Sequence, residues 1–161
     1  MSKRKYRPVA EMYITEWLGI TYPPGTWRTN VPLGQAVYPE ERHLTPAEIR
    51  FITKPLRPVA DAVVLLEREV HIIEAKIRDE RGKIEQLLIY RWLFPKTPEF
   101  KEHWHKRIRT ILLTPKDQGQ FEEFLKMYDI EVVYYRPAWI LEYLGTLPRR
   151  QRRGTYYSVK M

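Results

Sequence analysis

Apolar and polar positions change their spacing along the chain, and those changes mark out its elements. Over 58–66 the chain is almost continuously apolar and only Asp61 interrupts the run. Three charged residues follow, Glu67, Arg68 and Glu69, and then a second apolar run over 70–77 carries Glu74 and Lys76. Runs of this length, rich in Val and Ile and separated by a polar turn, predict two strands. From Lys83 onward the period lengthens: Ile84, Leu87, Leu88 and Trp92 recur at helical spacing, predicting an amphipathic helix over 83–94 that Pro95 stops.

The same reading places the other elements. A helix is expected over 7–19, with Pro8 in its first turn and Gly19 as its stop, then a loop at Tyr22-Pro23-Pro24-Gly25 and a short edge strand over 27–31. Thr45 reads as a helix cap with Pro46 at the first helical position. Strands over 107–113 and 130–135 alternate with helices over 118–128 and 139–144. The order predicts an α/β fold, a mixed β-sheet flanked by helices.

Composition narrows this further. At 161 residues, 43% of them hydrophobic, the chain is expected to form a single domain over 1–161 with one core. No apolar run approaches the length needed to cross a bilayer, and no membrane partner is expected. The start is basic but no apolar stretch follows it, so no secretory signal is read. With no cysteines, disulfides and thiolate metal sites are excluded. The expected location is the cytoplasm, of a bacterium or of a phage-infected host cell.

The formal charge of +8 is unevenly spread. Nine of the 28 basic residues, and no acidic ones, fall within 1–10 and 149–161, which leaves the middle close to neutral. Basic arms at 1–7 and 149–161 suit a phosphate backbone such as that of DNA, with solubilising tails the alternative reading.

The candidate chemistry lies in the two central strands. Side chains alternate along a strand, so Ile72, Glu74 and Lys76 share one face, and His71, Ile73, Ala75 and Ile77 the other. Partly burying a carboxylate beside an ammonium costs several kcal/mol per ion before partners are counted. A Glu–Lys ion pair is one solution, and a divalent cation with a second carboxylate is another. In an antiparallel pair turning at 67–69, Asp61 near the start of one strand comes close to Glu74 near the end of the next. Two converging carboxylates suit Mg²⁺, with Mn²⁺ able to substitute. Lys76 would then orient or deprotonate the attacking water and neutralise charge on the phosphate.

Asp61 on one strand, Glu74-Ala75-Lys76 on the next and a helix carrying Gln86-Leu87-Leu88-Ile89-Tyr90 together resemble the PD-(D/E)XK nuclease superfamily. The Gln-x-x-x-Tyr is similar to that of its RecB-like branch. The resemblance covers about 7–113. Ala60 rather than proline precedes Asp61, a departure from the pattern. It implies a restriction-endonuclease-like core and metal-dependent hydrolysis of DNA phosphodiesters. The metal ligands it implies are Asp61, Glu74 and the carbonyl of Ala75, with Lys76, Gln86 and Tyr90 completing the catalytic set. Members usually add a glutamate from the first helix. A wheel whose apolar face is Val9, Tyr13, Trp17 and Ile20 puts Glu16 inside that face, making it the expected fourth ligand, with Glu11 the fallback.

Other features point elsewhere. His103-Trp104-His105 has too few partners for zinc and reads as a solvated basic loop. His71 reads as a packed core histidine, and Tyr156 and Tyr157 as part of a tail. The rival reading is a DNA-binding or structural component of a larger assembly, a phage particle or repair complex, with a nuclease-like fold; a homo-oligomer is compatible with either.

Overall fold

Strands form where Val, Ile, Leu and Ala crowd together, and they build one five-stranded sheet. The computed structural model describes residues 3–35, 45–48, 57–78 and 83–148. In chain order these give α1 (Lys3–Thr21), β1 (Trp27–Pro32), β2 (Val59–Leu65), β3 (Glu69–Ala75) and α2 (Lys83–Leu93). Two 3₁₀ turns follow (Phe94–Lys96 and Pro98–His103), then β4 (Arg107–Thr114), α3 (Phe121–Met127), β5 (Ile130–Tyr134) and α4 (Ala138–Thr146). The strands lie in the order β1-β2-β3-β4-β5. The pairs β1–β2 and β2–β3 are antiparallel, the second joined by a short turn; β3–β4 and β4–β5 are parallel and are joined through α2 and α3. This is the α/β arrangement expected from the sequence, a mixed sheet with helices on both faces.

Each face has its own core. On one, Leu87, Tyr90 and Phe94 of the α2 segment and Leu125 of α3 pack on Val63, Val70, Ile72 and Leu112. On the other, Tyr13, Ile14, Trp17 and Leu18 of α1 and Ile140 of α4 pack on Ala62, Val64, Ile73, Ile111 and Leu113. Central β3 is covered on both sides, so it is buried along nearly its whole length instead of alternating.

Some expectations shift. The first helix begins at Lys3, so residues 3–7 of the expected N-terminal arm continue α1 and Pro8 lies inside the helix. A proline there removes the bond to the carbonyl four residues back. Trp92, expected on the apolar face of α2, is 63% exposed, with the Lys96 ammonium over its ring. Tyr90 and Phe94 take the inward positions instead. Thr45 does cap its helix: its Oγ1 accepts from Glu48 N–H, and Glu48 Oε2 accepts from Thr45 N–H, a reciprocal capping box. The C-terminal arm at 149–161, with Tyr156 and Tyr157, lies outside the described residues. Among the described residues no helix is long and apolar enough to cross a membrane.

Candidate active site

The sheet comes apart at one point. β1 and β2 stay paired as far as Pro32 and Val59, and β3 and β4 as far as Ala75 and Leu113. Between them, β2 and β3 stop pairing at Ala62 and Ile73. Beyond that pair the main-chain ladder is replaced by side chains. The Asp61 N–H donates to Glu74 Oε1 at 3.0 Å, and the Ala75 N–H donates to Asp61 Oδ2 at 2.9 Å. Each carboxylate thus takes the place of a carbonyl of the neighbouring strand, and the two strands fork around them. An extended residue points its N–H and C=O to the same side, so the Ala75 carbonyl also faces this fork.

A backbone feature helps create it. Asn30 lies opposite Asp61 and takes the left-handed conformation, with φ of 53°. On its two sides the strands present opposite faces. Trp27, Ala62 and Val64 pack toward α1, whereas Val31 and Ala60 pack toward α2. The inversion at Asn30 and Asp61 turns β2 as it leaves β3. Asparagine is among the few non-glycine residues that adopt this conformation readily, and Asn30 is the chain's single asparagine.

The charges are unequally placed. Glu74 is only 1% exposed, whereas Asp61 is half-buried. Burial, and then the Asp61 carboxylate, push the Glu74 carboxyl up to about 7, with Lys83 opposing the rise. The Lys83 ammonium, at the N-terminal end of α2, reaches both acids, 2.6 Å from Glu74 Oε2 and 3.5 Å from Asp61 Oδ2. The residue-level reading missed Lys83, although its place three residues before Gln86 and seven before Tyr90 puts all three on one side of the helix.

Gln86 and Tyr90 both sit on the fork side of α2. Tyr90 is buried and its hydroxyl donates to the Val59 carbonyl at 2.9 Å. Burial, followed by the charges of Glu74 and Asp61, raises its phenol well above the ordinary tyrosine range. Gln86 carries a buried amide oxygen that has no hydrogen-bond partner. Lys76 leaves β3 on the side of β4: its N–H donates to the Leu113 carbonyl, and its ammonium lies 3.5 Å from Gln118 Oε1. Among the described residues the ammonium that touches both acids is therefore that of Lys83, while Lys76 stands next along the strand.

Glu16 does not reach this place. Its two oxygens accept from the Tyr135 hydroxyl and from Trp139 Nε1–H, the latter at 2.9 Å, on the α4 side of the molecule. Ile20, expected on the apolar face of the wheel, is 70% exposed, and Met12 is 59% exposed. The true inward stripe is Tyr13, Ile14, Trp17 and Leu18, so the helix is rotated and Glu11 takes the flank nearer β2. Glu11 and Asp61 line one cavity of about 320 Å³, with Ile14, Thr15, Thr29 and Asn30. Among the described residues no three His, Asp or Glu side chains gather closely enough to form a ready metal cluster. The donors at the fork itself are the two carboxylates and one carbonyl.

A larger depression of about 640 Å³ lies over β4 and β5, with Arg91, Arg109, Lys126 and Glu131 in its lining. Arg109 pairs with Glu69 and Glu131, and Arg91 donates to the Tyr128 carbonyl and Thr110.

No protein-family model matches the chain, and no curated protein is significantly similar to it. Solved structures with a related outline include a repair endonuclease from Pyrococcus abyssi, 14% identical with a TM-score of 0.43, where the match spans 79% of this chain and 47% of the other. EndoMS bound to double-stranded DNA is 15% identical with a TM-score of 0.43, over 80% and 45% of the two chains. A protein of unknown function is 12% identical with a TM-score of 0.47, over 87% and 67%. The chain matches about half the length of the two endonucleases.

Proposed function

We propose that the chain is a metal-dependent DNA nuclease that hydrolyses phosphodiester bonds at the fork between β2 and β3. One observation carries the reading: two carboxylates, one of them fully buried, replace the sheet's own hydrogen bonds and already share a cation, the Lys83 ammonium. Structural sheets have no need of such an arrangement, and removing these charges from water is costly. The donor set suits a hard divalent ion, Mg²⁺ or Mn²⁺, held by Asp61, Glu74 and the Ala75 carbonyl. Such an ion supplies Lewis acidity and makes water a nucleophile at neutral pH.

The chain's own groups do the rest. Lys76 neutralises charge on the phosphate as the water oxygen bonds to phosphorus and the ester P–O bond breaks. Tyr90 ties α2 to the β2 backbone beside Glu74, and the unpartnered Gln86 oxygen is available to orient Lys83 or a water in the fork. Glu11, rather than Glu16, is the first-helix acid in this reading. Basic residues within 3–7 and 149–153 grip the DNA backbone without reading sequence. Lys83, Gln86 and Tyr90 along one side of α2 support a place near the RecB-like branch.

Incubating the protein with linear, circular and branched DNA plus Mg²⁺ or Mn²⁺ tests the proposal. Cleavage should require the metal and should fall at least about a thousandfold in Asp61→Ala. Full activity in Asp61→Ala or Lys76→Ala refutes the assignment. One observation favours participation in a larger assembly: Phe121, Phe124, Met127 and Tyr128 stay exposed along α3 and its end. Native mass measurement reads whether copies associate.

A further inference from the structure

We propose that Lys83 is a resident cation that holds the fork in the absence of metal and is expelled when a divalent ion binds, so metal binding competes with an internal ion pair. The inference rests on the fork being the metal site and asks how that site is controlled.

The oxygens of the fork are already partly assigned. Glu74 Oε1 is engaged by the Asp61 N–H and Asp61 Oδ2 by the Ala75 N–H. The Glu74 oxygen that remains, Oε2, is the one Lys83 occupies at 2.6 Å. A divalent ion held by the two carboxylates at about 2.1 Å would coordinate that same oxygen. An ammonium at hydrogen-bond distance from the same oxygen and a divalent ion cannot share it without severe repulsion. One must leave.

Lys83 is built to leave. It is a compact point charge on a flexible four-carbon stem. It is 21% exposed, whereas the Glu74 side chain is 1% exposed, so the ammonium has a route to solvent that the carboxylate lacks. Its position at the N-terminal end of α2 is also unfavourable for a cation, because that end of a helix carries partial positive charge. The two carboxylates offset that cost. One ammonium leaves the pair of acids with an excess negative charge, a preference that a divalent ion satisfies and Lys83 does not. Its retention keeps the metal-free strands from repelling at the fork.

The test is calorimetric titration of Mn²⁺ alone into the full chain, in wild type, Lys83→Met, Lys83→Gln and Asp61→Asn. Removing the competitor should tighten Mn²⁺ binding about tenfold, as expected if Lys83 occupies the site nine-tenths of the time. In the wild-type protein, the Lys83 ammonium NMR signal should shift and lose its protection from water exchange as Mg²⁺ is added. Unchanged or weaker Mn²⁺ binding in the variant that folds overturns the proposal, as does a Lys83 signal indifferent to saturating Mg²⁺. If Asp61→Asn leaves Mn²⁺ binding intact, the fork is not the metal site, and the nuclease reading falls with this one. Loss of binding in Asp61→Asn with no effect of Lys83 removes only the competition.

Discussion

Two glutamates on the same strand, Glu69 and Glu74, show how differently one sheet can treat the same side chain. Glu69 opens β3 in a completed network: its Oε2 contacts His71 Nε2 at 2.8 Å and Arg109, and His71 Nδ1 meets the Tyr22 hydroxyl at 2.7 Å. Arg109 in turn pairs with Glu131. Hydrogen bonding to His71, then to Arg109, holds the Glu69 carboxyl below its ordinary range, and its side chain is 29% exposed. Glu74, near the other end of the strand, is buried and pushed the opposite way. The first environment matches a charge with partners; the second buries a charge beside another of the same sign. Opposed shifts within one element are what the proposed nuclease site at the fork would require.

The largest expected effect breaks this comparison directly. Glu74→Gln should abolish metal-dependent cleavage, by about a thousandfold or more, because the buried oxygens lose their charge. Glu69→Gln should leave cleavage within about threefold of wild type and act on stability alone. Single-turnover cleavage with matched circular dichroism spectra checks both. Equal losses in the two variants would mean that the fork has no special role.

The shifts themselves make the next prediction, in the metal-free protein. The folded-state pKa of Glu74, about 7, lies above its unfolded value near 4.5, so the folded form holds the proton more tightly. That stabilisation is full below the unfolded pKa and is lost as pH rises through 7, at most about 3 kcal/mol. In chelator, Tm should fall between pH 5 and pH 8, Glu74→Gln should flatten the fall, and Mg²⁺ should restore stability at the upper end. Glu69 has the reverse sign: its lowered pKa contributes stability at neutral pH that disappears as pH falls through the acid range.

Much of this was legible in the residues, and what was not follows a pattern. The runs around Asp61 and Glu74 announce adjacent antiparallel strands, and the structure does pair them, so convergence of the two acids needed only the short turn at 67–69. His71 was readable as a core residue because strand alternation sets it opposite Glu74, but its partner Tyr22 is remote in sequence. Spacing sets Lys83 on the side of α2 that carries Gln86 and Tyr90, but its contact with Glu74 depends on how α2 docks against the sheet. Nor does any pattern of side chains reveal that the β2–β3 ladder stops one pair before the acids. Helix phase was the weakest step, because exposed apolar residues such as Ile20 weigh on a wheel as heavily as buried ones.

A smaller effect distinguishes site from scaffold on α2. The Gln86 amide oxygen is buried without a partner, a state that costs about 1–3 kcal/mol in a protein interior. Gln86→Met removes the unsatisfied group at similar volume, so Tm should be unchanged or rise while cleavage falls about tenfold if the amide serves the reaction. Cleavage rates should therefore fall with no loss of Tm in the melting curves. A variant that loses stability and activity together would mark Gln86 as scaffold.

The smallest expected effect sets the two acids of α1 against each other. Glu16 accepts from Tyr135 and Trp139, contacts that tie α1 to the α4 side of the sheet. Glu16→Ala should therefore cost about 1 kcal/mol of stability and leave cleavage at saturating Mg²⁺ unchanged. Glu11 lines the cavity it shares with Asp61, so Glu11→Gln should slow cleavage several-fold. The ratio of the two cleavage rates, measured against the two melting temperatures, reports which edge of α1 meets the substrate. If Glu16→Ala is the slower enzyme, the rotation of α1 inferred from its buried stripe is wrong where it matters, at the mouth of the fork.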